Sequence, residues 1–260
     1  MKVTRDMHTH TNLSACADRN TTLALLAEAA VKLGIETLGV ANHLWDSKVP
    51  GASGWYAPQN VEHVLKIRSE APAVKAPRIL IGCETEYIGN GVLALSPENA
   101  VKFDYILVPF THFHMKNFVI PADVTDSREI AKLMLKRGLE ILEHPTMNCG
   151  VPCGFAHPFV PCGCNNGVQI IESITDAEFE DFFKRTAEKN VSVGIHNGSV
   201  GECYTRMFMI AKEAGCHFHF ESDAHTHRPN SPESICAEKY RRHEMQAEKS
   251  GITEDDIWNI

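Results

Sequence analysis

Asp6-Met7-His8-Thr9-His10-Thr11 closes the first short apolar run of the chain, and it sets how every later polar cluster is interpreted. Successive side chains of a strand point to opposite faces, so His8 and His10 can share one face and reach a single ion together. A lone His-x-His is a weak sign, since a surface or core pair has the same spacing. Its weight comes from the remainder of the chain, where His, Glu and Asp recur at the ends of apolar runs as far as residue 225.

Beyond that stretch, residues 35–40 form a strand-like run ending at Ala41-Asn42-His43. Residues 78–82 run into Cys83-Glu84-Thr85-Glu86, and residues 105–108 into Thr111-His112-Phe113-His114. Residues 168–171 read as a strand ending at Glu172. Residues 191–195 lead to His196-Asn197-Gly198-Ser199, and residues 217–221 to Ser222-Asp223-Ala224-His225. Amphipathic helical patterns lie between, at 20–34, 61–70, 127–143, 176–189 and 203–214, followed by a polar helical tail from 231 with Thr253 capping its last turn. Residues 50–58, rich in Gly, Pro and aromatics, read as a loop able to cover a site.

Strand and helix alternate about seven times, which predicts a parallel sheet with helices outside. Every polar cluster sits at the C-terminal end of its strand. In a (β/α) barrel those ends converge on one face, which carries the active site. An open doubly wound sheet would gather ligands at one switch point and would not spread them over nearly every strand. The sequence has no Gly-x-Gly-x-x-Gly after a strand and no phosphate-cradling Gly-rich loop. The expectation is one barrel domain over residues 1–260.

Composition agrees with a globular enzyme: 260 residues, 43% hydrophobic and 22% charged. A net charge of −8 leaves no electrostatic footprint for broad nucleic-acid binding. No apolar run approaches a membrane span and no secretory leader is visible, so no membrane partner is expected. Nine Cys, an odd count, in such a chain point to reduced thiols and a cytoplasmic location. The 14 His exceed what packing asks for.

Taken in order, His8-x-His10, Asn42-His43, Gly82-Cys83-Glu84, Thr111-His112, Ala156-His157-Pro158 and Ser222-Asp223-Ala224-His225 resemble the motifs of the PHP (polymerase and histidinol phosphatase) superfamily, over residues 6 to 228. The resemblance implies a distorted (β/α)7 barrel holding two or three divalent metal ions (Zn, Fe or Mn). It also implies hydrolysis of phosphate esters by a metal-bridging hydroxide, with histidinol phosphate among the candidate substrates. By the same resemblance His8, His10, Glu84 and Asp223 surround one metal. Glu84 bridges to a second that also takes His112 and His157, and a third takes His43, His225 and a residue from the loop after His10. Imidazoles with carboxylates suit these metals, and such clusters activate water and clamp phosphoryl oxygens.

This chain departs from the pattern in places. Asn42 stands where the family usually has Asp. Cys16 and Asp18 compete for the third-metal loop position, Cys16 by its spacing from His10 and Asp18 as the harder ligand. Glu143-His144-Pro145 and Ala156-His157-Pro158 both match the His-Pro motif, and His157 is favoured because small residues lead into it. Glu86 can share the site face with Glu84. His63 and His243 lie in polar helical patterns and read as surface residues, His217 and His219 as barrel filler or helix-facing, and His114 and His227 as neighbours of ligands. Cys149, Cys153, Cys162 and Cys164 lack paired Cys-x-x-Cys spacing and read as small residues of a tight Gly/Pro loop.

A phosphate also needs cationic neighbours. Arg228 is the first candidate, then Lys116, Arg206 and Arg19. Catalytic roles fall to Asp223, His196 and Arg228, with His196 or Asp223 as the proton donor to the leaving alkoxide. The expected partner is a small phosphorylated substrate. Amidohydrolase barrels also begin with His-x-His, but usually carry Lys or His at the bridging position. A metal-binding module without catalysis would be expected to have lost ligands.

Overall fold

The computed structural model describes residues 1–228, 231 and 233–260. Seven strands lie in chain order in one sheet: β1 (Arg5–Thr9), β2 (Thr37–Leu44), β3 (Arg78–Thr85), β4 (Tyr105–Val108), β5 (Cys153–Phe155), β6 (Ser192–His196) and β7 (Phe218–Glu221). Every neighbouring pair is parallel. The helices are α1 (Leu23–Lys32), α2 (Val61–Val64), α3 (Ile67–Glu70), α4 (Pro97–Ala100), α5 (Ser127–Glu143), α6 (Gly167–Glu172), α7 (Asp176–Glu188), α8 (Glu202–Glu213) and α9 (Ala237–Lys249). The whole is a distorted, nearly closed (β/α)7 barrel with helices outside, as the strand-end clusters predict.

Local sequence explains the helices that clamp the barrel. Thr22 caps α1 through its side chain, and Leu23, Leu26, Ala27 and Ala30 form its buried stripe. A capping box between Thr175 and Glu178 starts α7, whose Phe179, Phe182 and Phe183 are fully buried. Burying such a ring contributes roughly 1.5–3 kcal/mol.

The barrel interior is narrow. Met7, Ala41, Leu80, Tyr105, Leu107, Ala156 and Trp258 form its inner layer. Tyr105 Oη donates to Met7 O at 2.6 Å, and a Cβ on Gly39 or Gly82 would overlap the Tyr105 side chain. These two glycines are small because the ring crosses the lumen. Closure between β7 and β1 is local: a Thr9–Ala224 bridge, with Asp223 N donating to His8 O and His10 N to Ala224 O. At the opposite end the C-terminal tail fills the gap, where Trp258 N donates to Phe218 O at 2.7 Å. The β1–β2 register shifts between Asp6 and Thr9, so the bulge falls at the His-x-His stretch itself.

Three expectations need correction. His217 is exposed and precedes β7, so it is neither barrel filler nor turned to a helix. Residues 168–171 belong to helix α6, and the fifth strand is Cys153–Phe155, directly before Ala156-His157-Pro158. A short β-branched stretch such as Val168-Gln169-Ile170-Ile171 fits either element, and here Ile170 and Ile171 are buried while Val168 is exposed. His243 is not a surface residue. It is buried on α9, stacked on Phe220 at 5.8 Å, and burial lowers its pKa to about 3. The polar composition of α9 hides the face it turns to the barrel. His63 is half-buried and bonds Leu13 O through Nε2. No helix among the described residues is long and apolar enough to cross a membrane.

Candidate metal centre

Four side chains meet above β1, β3 and β7. His8 Nε2 and His10 Nε2 are 3.0 Å apart, and Asp223 Oδ1 lies 3.1 Å from His10 and 3.6 Å from His8. Glu84 Oε2 is 3.3 Å from His8 and 3.5 Å from His10. Donor atoms that share one small ion with bonds of about 2.0–2.1 Å stand about 3.3–3.4 Å apart, and these five separations fall around that value.

The hydrogen bonds behind the rings decide which nitrogen faces inward. His8 Nδ1 donates to the Glu221 carboxylate at 3.3 Å. Ser14 Oγ gives its proton to Asn42 Oδ1 at 2.9 Å and therefore accepts from His10 Nδ1 at 3.1 Å. Both Nε2 lone pairs are left to converge on the centre. Asn42, standing where the resembled family has Asp, holds this loop by accepting from Thr11 N and Ser14 Oγ.

Glu84 turns its other oxygen to a second cluster. Oε1 lies 3.0 Å from His157 Nε2 and 3.6 Å from His112 Nε2, and those two nitrogens are 3.2 Å apart. His112 Nδ1 donates to Glu86, and His157 Nδ1 to Thr111 Oγ1 at 3.1 Å. Cys162 joins His112 and His157, with one donor atom from each within 4.8 Å of the others.

A third group, His10, Cys16, His43 and His225, meets the same 4.8 Å limit. Of the two loop residues, Cys16 is in this group and Asp18 is not. Asp18 Oδ2 instead holds Arg228 Nη2 at 2.6 Å. The loop turns back through the Ala17 N to Ser14 O and Asp18 N to His225 O bonds, which carries Asp18 away from the rings. Gln59 Oε1 accepts from Ala15 N at 2.8 Å and steadies the turn. His144 is not in any of these groups; it caps the end of α5, where its Nδ1 accepts from Thr146 N.

The charges suit a cation. Burial opposes ionisation of Glu84, yet His43 and His8 hold its carboxyl well below the usual range. Asp223 is held down in the same way by His8 and His10. Burial alone would discharge His8, but Glu84 and Asp223 keep it well above an ordinary imidazole. His10 falls to about 4, first through burial and then through His225. Burial also works against a charged His112, but Glu86 brings it up to about 9. A cation bound among these rings would have to displace any proton carried there, so affinity for a metal would rise with pH.

The clusters form the floor of a cavity of about 470 Å³, walled by Ser53, Trp55, Tyr56, His114 and Met115. The Gly/Pro-rich loop thus lines the site, as expected. A larger hollow of about 950 Å³ lies at the opposite end, around Arg78 and Trp258, away from the donor clusters. His196 lines the site cavity. Its Nδ1 accepts from Gly198 N at 2.9 Å, so Nε2 carries the proton and sits 3.6 Å from Asp223 Oδ2. None of the proposed cations lines the cavity. Arg228 is paired with Asp18, Arg206 bonds Ile174 O and Asp176, Lys116 borders a neighbouring cleft, and Arg19 is exposed.

Sequence reasoning missed Glu221 and Cys162 and left Glu86 open. Glu221 sits inside the last strand with no motif of its own. Cys162 was hidden in a run of cysteines that the fold splits: Cys149 bonds Thr146 O and Cys153 bonds Val151 O, before β5 and at its start, whereas Cys162 follows its end.

The fold is that of a PHP-like (β/α)7 barrel, and at its C-terminal face it gathers His, Cys, Asp and Glu side chains in groups that could hold metal ions. The histidinol phosphate phosphatase of Lactococcus lactis, solved with zinc, L-histidinol and phosphate, has this fold, with a TM-score of 0.64 at 15% identity over 96% of this chain and 94% of that one. N-isopropylammelide isopropylaminohydrolase from Burkholderia multivorans gives 0.48 at 15% identity, covering 97% of this chain and 69% of that one. A TatD family hydrolase from Entamoeba histolytica gives 0.41 at 8% identity, covering 97% and 94%. No protein-family model and no curated protein matches the sequence.

Proposed function

We propose that this chain is a metal-dependent phosphoesterase acting on a small phosphorylated substrate. The observation that carries the reading is Glu84, whose two carboxylate oxygens face two separate imidazole clusters at the floor of one cavity. His8, His10, Glu84 and Asp223, with His112 and His157 on the other side of Glu84, would hold divalent ions, which would supply a lowered pKa for bound water and offset charge on phosphoryl oxygens.

The chain's own residues do the rest. His196 presents Nε2–H to the cavity and is placed to donate to a phosphoryl oxygen. Delivering a proton to the leaving group would require the imidazolium, which forfeits the bond from Gly198 N. Asp223, held ionised, serves as ligand and hydrogen-bond acceptor, so it does not suit the acid role. Trp55, Tyr56 and Met115 form an apolar wall for the leaving group and exclude water from one side.

Metal analysis followed by hydrolysis of p-nitrophenyl phosphate and bis-p-nitrophenyl phosphate with Zn or Mn tests this. His10→Ala and Asp223→Ala should lose activity together with most bound metal. A fully metallated protein inert to every phosphoester refutes the reading. One observation favours C–N hydrolysis instead: among the described residues no Lys or Arg lines the cavity. Turnover of amides with phosphoesters untouched would decide for it.

A further inference from the structure

We infer that Cys162 is a thiolate ligand of the second metal position, completing a His112, His157, Glu84 and Cys162 donor set. This rests on the metal-binding part of the proposed function and not on the substrate.

Three observations carry it. The sulfur lies within 4.8 Å of a ring nitrogen of both His112 and His157, whose Nε2 atoms converge at 3.2 Å with Glu84 Oε1 beside them. Three donors are present, and a tetrahedral ion of the zinc type takes four. The placement is also built. Thr111 accepts from Cys162 N on its carbonyl at 2.9 Å, takes His157 Nδ1 on its hydroxyl, and precedes His112, so one residue positions all three donors. The next residue, Gly163, has φ +84 and lies so close to the 113–114 turn that a Cβ would stand 2.7 Å from His114 Cα. A side chain there would push the cysteine loop off the site.

The thiol's own contact is weak, to Val160 O at 3.5 Å. Burial and the carboxylates Asp223, Glu84 and Glu86 push the thiol up to about 12. On binding, the S–H bond is replaced by a sulfur–metal bond and the proton leaves to solvent, with no electron transferred. Cys16 plays the same part in the third group, so the two outer positions each offer one sulfur and the central position none. Thiolate favours zinc and cobalt over manganese, so the outer positions should reject manganese more strongly than the centre does.

The test is cobalt loading of the stripped wild type, Cys162→Ser, Cys16→Ser, the double variant and Cys164→Ser as control. Thiolate-to-cobalt charge transfer absorbs in the near ultraviolet and is read without substrate. The proposal expects the band to fall by about half in each single variant, to vanish in the double and to persist in Cys164→Ser. Alkylation of Cys162 in folded wild type should slow at least tenfold with zinc, a measurement that does not depend on the variants folding. Unchanged absorption in Cys162→Ser at equal cobalt content, or alkylation indifferent to zinc, overturns the proposal. A wild-type protein that takes up no cobalt or zinc overturns it together with the metal reading. A protein with the full band and no phosphoesterase activity keeps Cys162 as ligand and refutes only the substrate.

Discussion

Replacing Glu221 by Gln tests whether the residues behind the ligands do what the geometry says. Glu221 is fully buried and receives three donors: His8 Nδ1 at 3.3 Å and His219 Nε2 at 3.0 Å on Oε1, and His157 N at 2.7 Å on Oε2. Gln keeps the shape, so no cavity opens, but one oxygen becomes an NH2 group. If that group takes the Oε1 position, it meets two ring N–H groups. If it takes Oε2, it meets the backbone N–H of His157, a residue held at φ +33. At least one buried donor is left facing another, which costs about 1–3 kcal/mol. The second consequence is in affinity, because the carboxylate fixes the His8 tautomer, and losing such a partner typically weakens a site 10–100-fold, about 1.4–2.7 kcal/mol. Urea unfolding of the stripped protein measures the first quantity, and zinc titration against a competing chelator measures the second. Gly194→Ala, whose Cβ would overlap the Glu221 carboxyl, should mimic both effects in weaker form. Unfolding within about 0.5 kcal/mol of wild type, with zinc affinity changed less than twofold, would refute the assignment.

Three further outcomes are expected. Glu86→Gln removes the main charge that raises His112 and should weaken metal at the second position about 10–100-fold, read as loss of one equivalent on dialysis, with the central site retained. Gly82→Ala drives a methyl into the Tyr105 ring and should cost about 1–3 kcal/mol or more by urea unfolding without altering the slope; a stability equal to wild type would mean the ring does not cross the lumen there. Glu178 is held down to about 2, chiefly by Arg128, which it meets at 2.6 and 2.8 Å. Its stabilisation is therefore full above the ordinary value of 4.5 and is lost as pH falls through about 2. Both side chains are about a third exposed, so Glu178→Gln should cost no more than ~1 kcal/mol at pH 7 and nothing near pH 2, by pH-dependent thermal unfolding.

The members of the donor clusters were legible because a barrel puts them where sequence can mark them. His8, His10, His43, Glu84, His112, His157, Asp223 and His225 each close or directly follow a strand, and hydrophobic periodicity locates strand ends. The choice between Cys16 and Asp18 was not legible, since it depends on how the loop reverses after Ser14. Arg228, suggested only by its nearness to the last motif, is paired with Asp18 and does not line the cavity. His243 was misread because α9 is polar on average and buries one face regardless. Proximity in sequence groups Cys162 with Cys149 and Cys153, which lie before β5 and at its start, whereas Cys162 follows its end.

What aims the ligands is harder to read than the ligands, and the reason lies in the backbone. Asp223 and His157, ligands on opposite sides of Glu84, both have positive φ, at 48° and 33°. For non-glycine residues such conformations cost on the order of 1–3 kcal/mol each and persist only where the surroundings hold them. Here the holders are visible: His8 O takes the Asp223 N–H at 2.9 Å, and Glu221 takes the His157 N–H at 2.7 Å. Leaving the strand direction at those residues swings the side chains across the barrel mouth; an extended chain would carry them up and away from it. No composition or spacing marks an aspartate or histidine that must adopt this turn. The same Glu221 that fixes the His8 ring therefore also fixes the His157 backbone, so the two imidazole clusters joined in front by Glu84 are joined behind by Glu221.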